Sequence, residues 1–276
     1  MLARVIFNQK GGVGKSSIAV NLAALSANAG LRTLLIDLDS QGNASQYLLG
    51  DSAIADQNTP VLEPNIETFF AQTLQTAPNM FAFPFGGASI TSEVNLPDCI
   101  HATNFDNLYV IPSSPGLGNI LHQLESKHKI YKLRDGLKRL AHDFDRVYID
   151  TPPAFNFFSL SALIAADRVI VPFDCDVFSK RALQSLVHNV LETRQDHNPD
   201  LGIEGIVVNQ FDPRANLPRE VVQSLADEGY PIFESKLSPS VIMKKSHEQN
   251  LPLVYLDPNH KLSQQFLALF EQLEQA

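Results

Sequence analysis

One stretch near the start of the sequence decides the fold: ARVIFNQKGGVGKS, residues 3–16. An apolar, β-branched run leads into three closely spaced glycines, and an Ala- and Leu-rich segment follows at residues 15–29. This order of strand, glycine-rich turn and helix is typical of a phosphate-binding loop, because the glycines let backbone N–H groups face an anion and the helix N-terminus adds its dipole. A purely structural turn is the alternative, but the flanking strand and helix favour a phosphate site.

The side chains of the loop suit a nucleoside triphosphate with magnesium. Lys15 is expected to neutralise the β- and γ-phosphates, and Ser16 to ligate the Mg²⁺ that bridges them. The predicted nucleotide contacts of the loop are Lys10, Gly11, Gly12, Val13, Gly14, Lys15, Ser16 and Ser17.

Short β-branched runs alternate with longer amphipathic runs along the chain, which indicates βα units and a mostly parallel sheet. Strands are predicted at residues 3–8, 33–37, 108–111, 146–150, 168–172, 203–209 and, less regularly, 231–233. Helices are predicted at residues 15–29, 66–74, 117–144, 179–194, 218–228, 241–249 and 261–274. The predicted class is α/β: a three-layer P-loop NTPase fold, with a twisted sheet flanked by helices, as one domain over residues 1–276.

The formal charge of −9 is unevenly distributed. Residues 33–126 hold ten of the 30 acidic residues and no Lys or Arg, which leaves 20 acidic and all 21 basic residues elsewhere. A basic face is therefore possible outside this segment, although the net charge argues against nucleic-acid binding. Cys99 and Cys175 are too few for a disulfide framework, and no apolar run approaches membrane-spanning length, so a cytosolic protein is expected.

Residues 51–107 do not fit the alternating pattern. They contain five prolines and one short helical pattern, and loops of this length inside a domain are commonly functional or disordered. The aromatic residues Phe81, Phe83 and Phe85 favour packing over disorder, so we predict an ordered, acidic excursion on the rim of the sheet.

Carboxylates stand at the ends of two predicted strands. Asp37 and Asp39 follow the apolar residues of strand 33–37, and Asp150 closes strand 146–150 before a Thr-Pro-Pro sequence. Since ligands bind at the carboxyl ends of parallel strands, these side chains are expected near the phosphates. Asp150 fits the Walker B carboxylate that holds Mg²⁺ through water. Capping of the next helix by Asp39 or Ser40 is the alternative.

The predicted strand 203–209 ends where this architecture usually meets the base, and Asn209 is the predicted adenine contact. The run Asn209-Gln210-Phe211-Asp212 differs by one residue from the Asn-Lys-x-Asp signature of many GTPases. The missing lysine and the irregular phosphate loop favour ATP, so ATP and Mg²⁺ are the predicted cofactors. Asp176 falls either near the nucleotide or at a helix cap.

The phosphate loop departs from the usual pattern at two positions. Gln9 stands where the first glycine is expected, and Lys10 is an additional cation. This arrangement resembles the deviant Walker A motif of the ParA/MinD ATPase family. Residues 37–43 resemble the Asp-x-Asp-x-Gln-x-Asn switch I of that family, and residues 150–153 resemble its switch II.

The resemblance implies roles for individual residues. Lys10 would reach across a nucleotide-sandwich dimer to the phosphates of the partner. Asp39 would orient the attacking water, and Asp37 would support the magnesium shell. The implied catalytic residues are Lys10, Lys15 and Asp39, and the implied metal site comprises Ser16, Asp37 and Asp150.

The resemblance also implies a cellular role. In the family, ATP closes a homodimer, the dimer binds DNA without sequence preference, and a ParB-like or cargo-adaptor protein stimulates hydrolysis. The chain is thus expected in the cytoplasm at the nucleoid, where it would partition plasmid or chromosome DNA or position protein cargo. The DNA contacts that the family favours are Lys236, Lys244 and Lys245, although the family pattern Ile-Pro-Arg is Leu237-Ser238-Pro239 here. A second basic cluster at residues 127–139 and solvated helix faces are the alternatives.

Two other functions are compatible with the motifs. A MinD-like membrane regulator would need a basic amphipathic C-terminal helix, but residues 266–276 contain Glu271 and Glu274 and no Lys or Arg, so a core-packed helix and no membrane partner are expected. A synthetase that uses ATP to activate a carboxylate would need a substrate pocket, which residues 51–107 could line. An iron–sulfur role is discarded because paired thiolates are missing.

Overall fold

The structure, a computed structural model, describes residues 1–50, 62–74, 93–127, 129–175 and 179–275. These residues form a sheet with the strand order β3-β4-β2-β5-β1-β6-β7. Every neighbouring pair is parallel except β3 and β4. The strands are β1 (Leu2–Ile6), β2 (Thr33–Asp37), β3 (His101–Ala102), β4 (Leu108–Ile111), β5 (Arg146–Asp150), β6 (Arg168–Asp174) and β7 (Gly202–Asn209).

The described helices pack on both faces of the sheet. Their bounds are α1 (Lys15–Asn28), α2 (Asn43–Leu49), α3 (Ile66–Ala71), α4 (Leu117–Lys127), α5 (Lys132–Arg139), α6 (Phe157–Ala165), α7 (Ser179–Asp196), α8 (Asn216–Asp227), α9 (Val241–Glu248), α10 (Leu253–Leu256) and α11 (Lys261–Gln275). Helices α1, α10 and α11 share one apolar core, and α3 to α7 share the other. The predicted three-layer fold with a mostly parallel sheet is confirmed.

The central strands bring the motifs together. β1, β2 and β5 are buried on both faces, which explains their continuous apolar sequences. Asp150 lies beside Ile6 where β5 pairs with β1, and it lies beside Asp37 where β5 pairs with β2. The phosphate loop after β1 and the carboxylates of β2 and β5 consequently meet at one edge of the sheet.

The structure corrects several predicted elements. The single helix predicted at residues 117–144 is wrong: α4 and α5 are separate, because the chain turns at Ile130 and Tyr131. Each half keeps helical spacing, so the pattern does not reveal the break. The strand predicted at residues 231–233 is reduced to one bridge, between Ile206 and Ile232. Three helices were missed, α2, α6 and α10, as was the short edge strand β3.

The described parts of the excursion pack on the sheet. Ile66, Phe69 and Phe70 of α3 are buried, and a short 3₁₀ helix, Leu96–Cys99, leads into β3. Phe81, Phe83 and Phe85 lie outside the described residues. That the chain forms one domain over residues 1–276 stays a prediction.

The last helix is a core element. α11 buries Phe266, Leu269, Phe270 and Leu273 against the face that carries α1. None of the helices in the described ranges combines the length and apolar composition that crossing a bilayer requires.

A buried ion-pair network joins α11 to the amino end of the sheet. The Arg4 side chain is 1% exposed, and its guanidinium lies 3.0 Å from Glu204 and 2.9 Å from Glu274. It also donates to the Leu273 carbonyl at 2.7 Å. Arg4 therefore ties β1, β7 and α11 together far from the phosphate loop.

Candidate active site

The phosphate loop turns into α1 through two glycines with positive φ. Gly12 has φ 77° and Gly14 has φ 90°, a left-handed conformation that glycine adopts at little cost. Gly14 is the N-cap of α1, no side chain caps this helix, and its first turn contains no acidic residue. The first N–H groups of α1 and the helix dipole are thus directed at an anion site.

Asn209 braces this loop from the end of β7. Its Nδ2 donates to the Val13 carbonyl at 3.0 Å, and a Cβ placed on Gly14 would collide with the same amide. The structure therefore places Asn209 against the backbone of the loop, and its contact with adenine stays a prediction.

Lys15 lies between the loop and two carboxylates. It is 7% exposed, and its Nζ donates to the Lys10 carbonyl at 3.1 Å. Burial lowers the pKa of Lys15, whereas the charges of Asp150 and Asp39 raise it. The predicted phosphate lysine and the predicted carboxylates are thus neighbours.

Asp150 is completely buried at the end of β5. Burial raises the pKa of Asp150 well above its usual range; the charge of Asp37 also raises it, and the nearby Ser16 hydroxyl and Lys15 ammonium oppose this. Within the described ranges, neither Asp150 oxygen has a hydrogen-bond partner of ordinary geometry. A buried carboxylate with unused acceptors beside a serine hydroxyl suits a hydrated Mg²⁺, which binds oxygen ligands and retains several waters.

Both carboxylate oxygens of Asp37, by contrast, already accept hydrogen bonds from other residues of the chain. Its Oδ1 accepts from the Asp39 N–H at 3.0 Å, and its Oδ2 accepts from the Ser45 N–H at 2.8 Å and the Ser45 hydroxyl at 2.7 Å. Burial, opposed by these hydrogen bonds, raises the pKa of Asp37 to about 6. Asp37 holds the loop after β2, and a part in the magnesium shell stays a prediction.

A closed ring of hydrogen bonds includes two residues that the sequence did not reveal. Ser113, just after β4, donates its hydroxyl to the Asp39 carbonyl at 2.5 Å, and its N–H donates to the Ser45 hydroxyl at 2.9 Å. Ser45 and the Asp39 N–H both bind Asp37, which closes the ring. The only sequence signal is a pair of serines that Pro112 separates from a predicted strand, and its meaning depends on β4 lying beside β2.

Lys10 points to another carboxylate of its own chain. Its Nζ lies 2.8 and 2.7 Å from the two oxygens of Asp174, at the end of β6. The exposed fractions of the Lys10 and Asp174 side chains are 33% and 27%. The sequence singled out Lys10 but not Asp174, and the neighbouring Asp176 lies outside the described residues.

A cavity of about 660 Å³ opens over the loop, a volume within the range of small-molecule sites. It is lined by the glycines of the loop, by Lys15, Ser16, Ser17 and Asp39, by α2, and by residues of α9 and the turn after it. The sequence did not predict the part of the cavity wall that α9 and the turn after it form. The lining residues there are His247, Glu248 and Asn250, and the Nε2 of His247 lies 3.0 Å from the Ser17 hydroxyl.

The predicted DNA-contact residues lie on or near α9. Lys244 is 82% exposed and lies 4.0 Å from Glu248, and Lys245 is exposed. Lys236 is half-buried, with its ammonium 5.8 Å from the centre of the Phe211 ring. The side chains of Lys244 and Lys245 are thus accessible to solvent, and the contacts of all three lysines with DNA stay predictions.

A phosphate loop between β1 and α1, opposite a buried acid at the end of β5, defines the class as a P-loop nucleoside triphosphatase. The AAA domain family model matches residues 3–203. Chromosome partitioning protein ParA of Myxococcus xanthus is 33% identical over 273 residues, which cover 97% of this chain and 86% of that protein.

Two solved structures have the same fold. Apo McdA of Cyanothece matches with a TM-score of 0.80 at 22% identity and covers 99% of both chains. Cobyrinic acid a,c-diamide synthase of Mycobacterium smegmatis, solved with ADP and magnesium, matches with a TM-score of 0.71 at 25% identity over 91% of this chain and 92% of that chain. The chain belongs to the AAA domain family of P-loop ATPases, among the ParA-type partition proteins. The predicted family and ATPase activity are confirmed.

Proposed function

We propose that this ParA-type ATPase binds ATP and Mg²⁺, closes into a homodimer, binds DNA without sequence preference, and is reset when a partner stimulates hydrolysis. ATP and Mg²⁺ fit the site described above, and the related synthase was solved with ADP and magnesium. The predicted cofactors are confirmed to that extent. Particular residues support the dimer and the DNA surface, and the partner is proposed from the likeness to ParA-type proteins.

The position of Lys10 carries the proposal. Lys15 lines the nucleotide cavity of its own chain, whereas Lys10, five residues earlier, does not belong to the described lining. Its ammonium is instead bound by Asp174 at the end of β6. A loop lysine that is not used by its own cavity is suited to the phosphates of a second copy.

Hydrolysis is assigned to the residues around the γ-phosphate position. Lys15 would bind the β- and γ-phosphates, and Ser16 and Asp150 would hold Mg²⁺, whose charge would offset the negative charge that develops on the phosphates. Asp39, 7% exposed at the cavity wall, orients the attacking water. Catalysis of this kind is mainly positioning and electrostatic stabilisation, so displacement of Asp39 slows turnover more than it weakens binding.

The base lies beyond Asn209. A second cavity, of about 400 Å³, begins two residues later in the chain, and it is lined by residues 211–214, by residues 238–240 before α9, and by His260 and Lys261 at the start of α11. This cavity takes the adenine, and Asn209 faces both the loop and the base.

The DNA surface lies on α9. The exposed Lys244 and Lys245 share this helix with His247, which lines the nucleotide cavity. Neutralisation of DNA phosphates by lysines supplies most non-specific affinity. One helix thus links the nucleotide to the DNA surface, and the protein works in the cytoplasm at the nucleoid.

The partner is a ParB-like or cargo-adaptor protein. A basic residue inserted near the transferred phosphate by such a partner would stabilise the negative charge of the transition state. The outcome is the partition of plasmid or chromosome DNA, or the positioning of a protein cargo.

Co-sedimentation with linear DNA tests the proposal with no nucleotide, with ADP and with ATP. Binding is expected only with ATP, and it should weaken steeply as salt is raised. Lys244→Ala/Lys245→Ala should lower DNA affinity at least tenfold. The matched control is Lys129→Ala/Lys138→Ala, which removes two exposed lysines from the other basic cluster and should retain binding.

Two results would contradict the proposal. DNA binding that is equal in all nucleotide states would show that ATP does not control DNA binding. ATP turnover that requires a small carboxylic acid would instead identify a synthetase.

A further inference from the structure

We propose that Ser113 is a positioning residue for hydrolysis, which holds Asp39 in place from the loop after β4. The inference rests on the proposed role of Asp39. It adds a residue outside the phosphate loop and outside both switch segments to the hydrolytic apparatus.

The backbone of Asp39 is fixed on both sides. Its N–H donates to Asp37 at 3.0 Å, and its carbonyl accepts from the Ser113 hydroxyl at 2.5 Å and from the Gly42 N–H at 2.9 Å. The Asp39 carboxylate itself is bound by only one donor among the described residues, the Gln41 N–H at 3.0 Å. Main-chain contacts therefore set where this carboxylate faces the cavity.

Ser113 is the residue that joins these contacts. It is 2% exposed, and it binds Asp39 through its hydroxyl and Ser45 through its N–H. Ser45 is 1% exposed and holds Asp37 through two further hydrogen bonds. Hydrogen bonds in a site of low dielectric orient their partners strongly, and a missing donor there is not replaced by water.

The loop of Ser113 is in turn anchored by the excursion. Ser114 donates its hydroxyl to Glu67 of α3 at 2.6 Å. The same carboxylate packs on Gly116, where a Cβ would collide with it. Glu67, in the described part of the excursion, thus stabilises the loop after β4 that contains Ser113.

The test compares turnover with affinity. Ser113→Ala keeps the N–H bond to Ser45 and removes only the bond to Asp39, so single-turnover ATP hydrolysis should fall about tenfold or more. The dissociation constant for a non-hydrolysable ATP analogue should change less than threefold, because the phosphate loop is untouched. Ser113→Thr keeps the hydroxyl and should recover most of the rate.

The contact between Glu67 of α3 and Ser114 is tested separately. Glu67→Ala should slow turnover severalfold, and Glu67→Gln, which keeps an acceptor for Ser114, should restore it. The matched control is Ser161→Ala. Ser161 is also fully buried, on α6, and its hydroxyl has no hydrogen-bond partner within the described ranges, so turnover should stay at the wild-type value.

Asp39→Ala, measured in parallel, separates the possible failures. If Asp39→Ala is inactive and Ser113→Ala keeps wild-type turnover, the inference is wrong and the proposed function stands. A Ser113→Ala variant that loses ATP affinity and rate equally would have a structural defect, which also overturns the inference. Full turnover in Asp39→Ala would overturn both this inference and the proposed role of Asp39. DNA binding that is independent of ATP would refute the proposed function and leave the rate comparison valid.

Discussion

Replacing Gly14 with alanine should weaken both the fold and ATP binding, for two separable reasons. The residue has φ 90°, so an alanine there adopts a left-handed backbone at a cost of about 1–2 kcal/mol. Its Cβ would also displace Asn209 and break the 3.0 Å bond to Val13, which adds about 1 kcal/mol.

The sum is a loss of about 2–3 kcal/mol in the free energy of unfolding. A displaced loop also loses at least one N–H contact to a phosphate, and such charge-assisted bonds contribute about 1.5–3 kcal/mol. ATP affinity should therefore fall tenfold or more. Urea unfolding of the nucleotide-free protein and calorimetric titration with an ATP analogue measure the two effects.

Gly30→Ala is the matched control. Gly30 has φ 85°, and no atom lies within 4 Å of the point where its Cβ would stand, so alanine there brings the backbone cost without the collision. It should cost about 1–2 kcal/mol and leave ATP affinity unchanged. In an Asn209→Ala background, Gly14→Ala should cost no more than Gly30→Ala, because the displaced amide is gone.

Equal stability of the Gly14→Ala and Gly30→Ala proteins, with unchanged ATP affinity, would refute this reasoning. The hydrogen bond from Asn209, at the end of β7, to Val13 of the phosphate loop would then contribute nothing to stability or ATP binding.

Three further outcomes are expected. Arg4→Met leaves Glu204, whose side chain is 7% exposed, without its cation, although Glu274 keeps its ion pair with Arg146; the change should cost about 3–5 kcal/mol in urea unfolding, whereas a cost below about 1 kcal/mol would contradict the network. Lys15→Ala should abolish ATP binding in calorimetry, and retained micromolar affinity would disprove the loop assignment. Burial raises the pKa of Asp37 to about 6 and that of Asp150 well above its usual range, so without nucleotide and magnesium the free energy of unfolding should fall as pH rises from about 4 through 6. Asp150→Asn removes one of these two titrating carboxyls and should make the fall shallower, and a pH profile identical to that of the wild type would contradict this prediction.

The sequence predicted the centre of the fold well because its strands are buried on both faces. The bounds predicted for residues 33–37, 108–111 and 146–150 coincide with β2, β4 and β5. Continuous apolar runs between polar residues leave little ambiguity there. β3 has two residues and no pattern, and α6 is buried on nearly every side, so neither offers the periodicity that a prediction needs.

The phosphate loop was predictable because its residues are consecutive. The position of Asp37 and Asp150 near the phosphates was predictable because both close parallel strands, whose carboxyl ends lie at one edge of the sheet. Ser113 was not, because its contact with Asp39 depends on β4 lying next to β2, and strand order is absent from local sequence. The pairing of Lys10 with Asp174 likewise depends on the β1–β6 register.

The most direct test of the dimeric switch is the molar mass of Asp39→Ala in solution, measured by light scattering with ATP and with ADP. We expect the mass of two chains with ATP and of one chain with ADP, and one chain with ATP when Lys10→Ala is added. A monomer with ATP, or a dimer that persists without Lys10, would contradict the proposed switch.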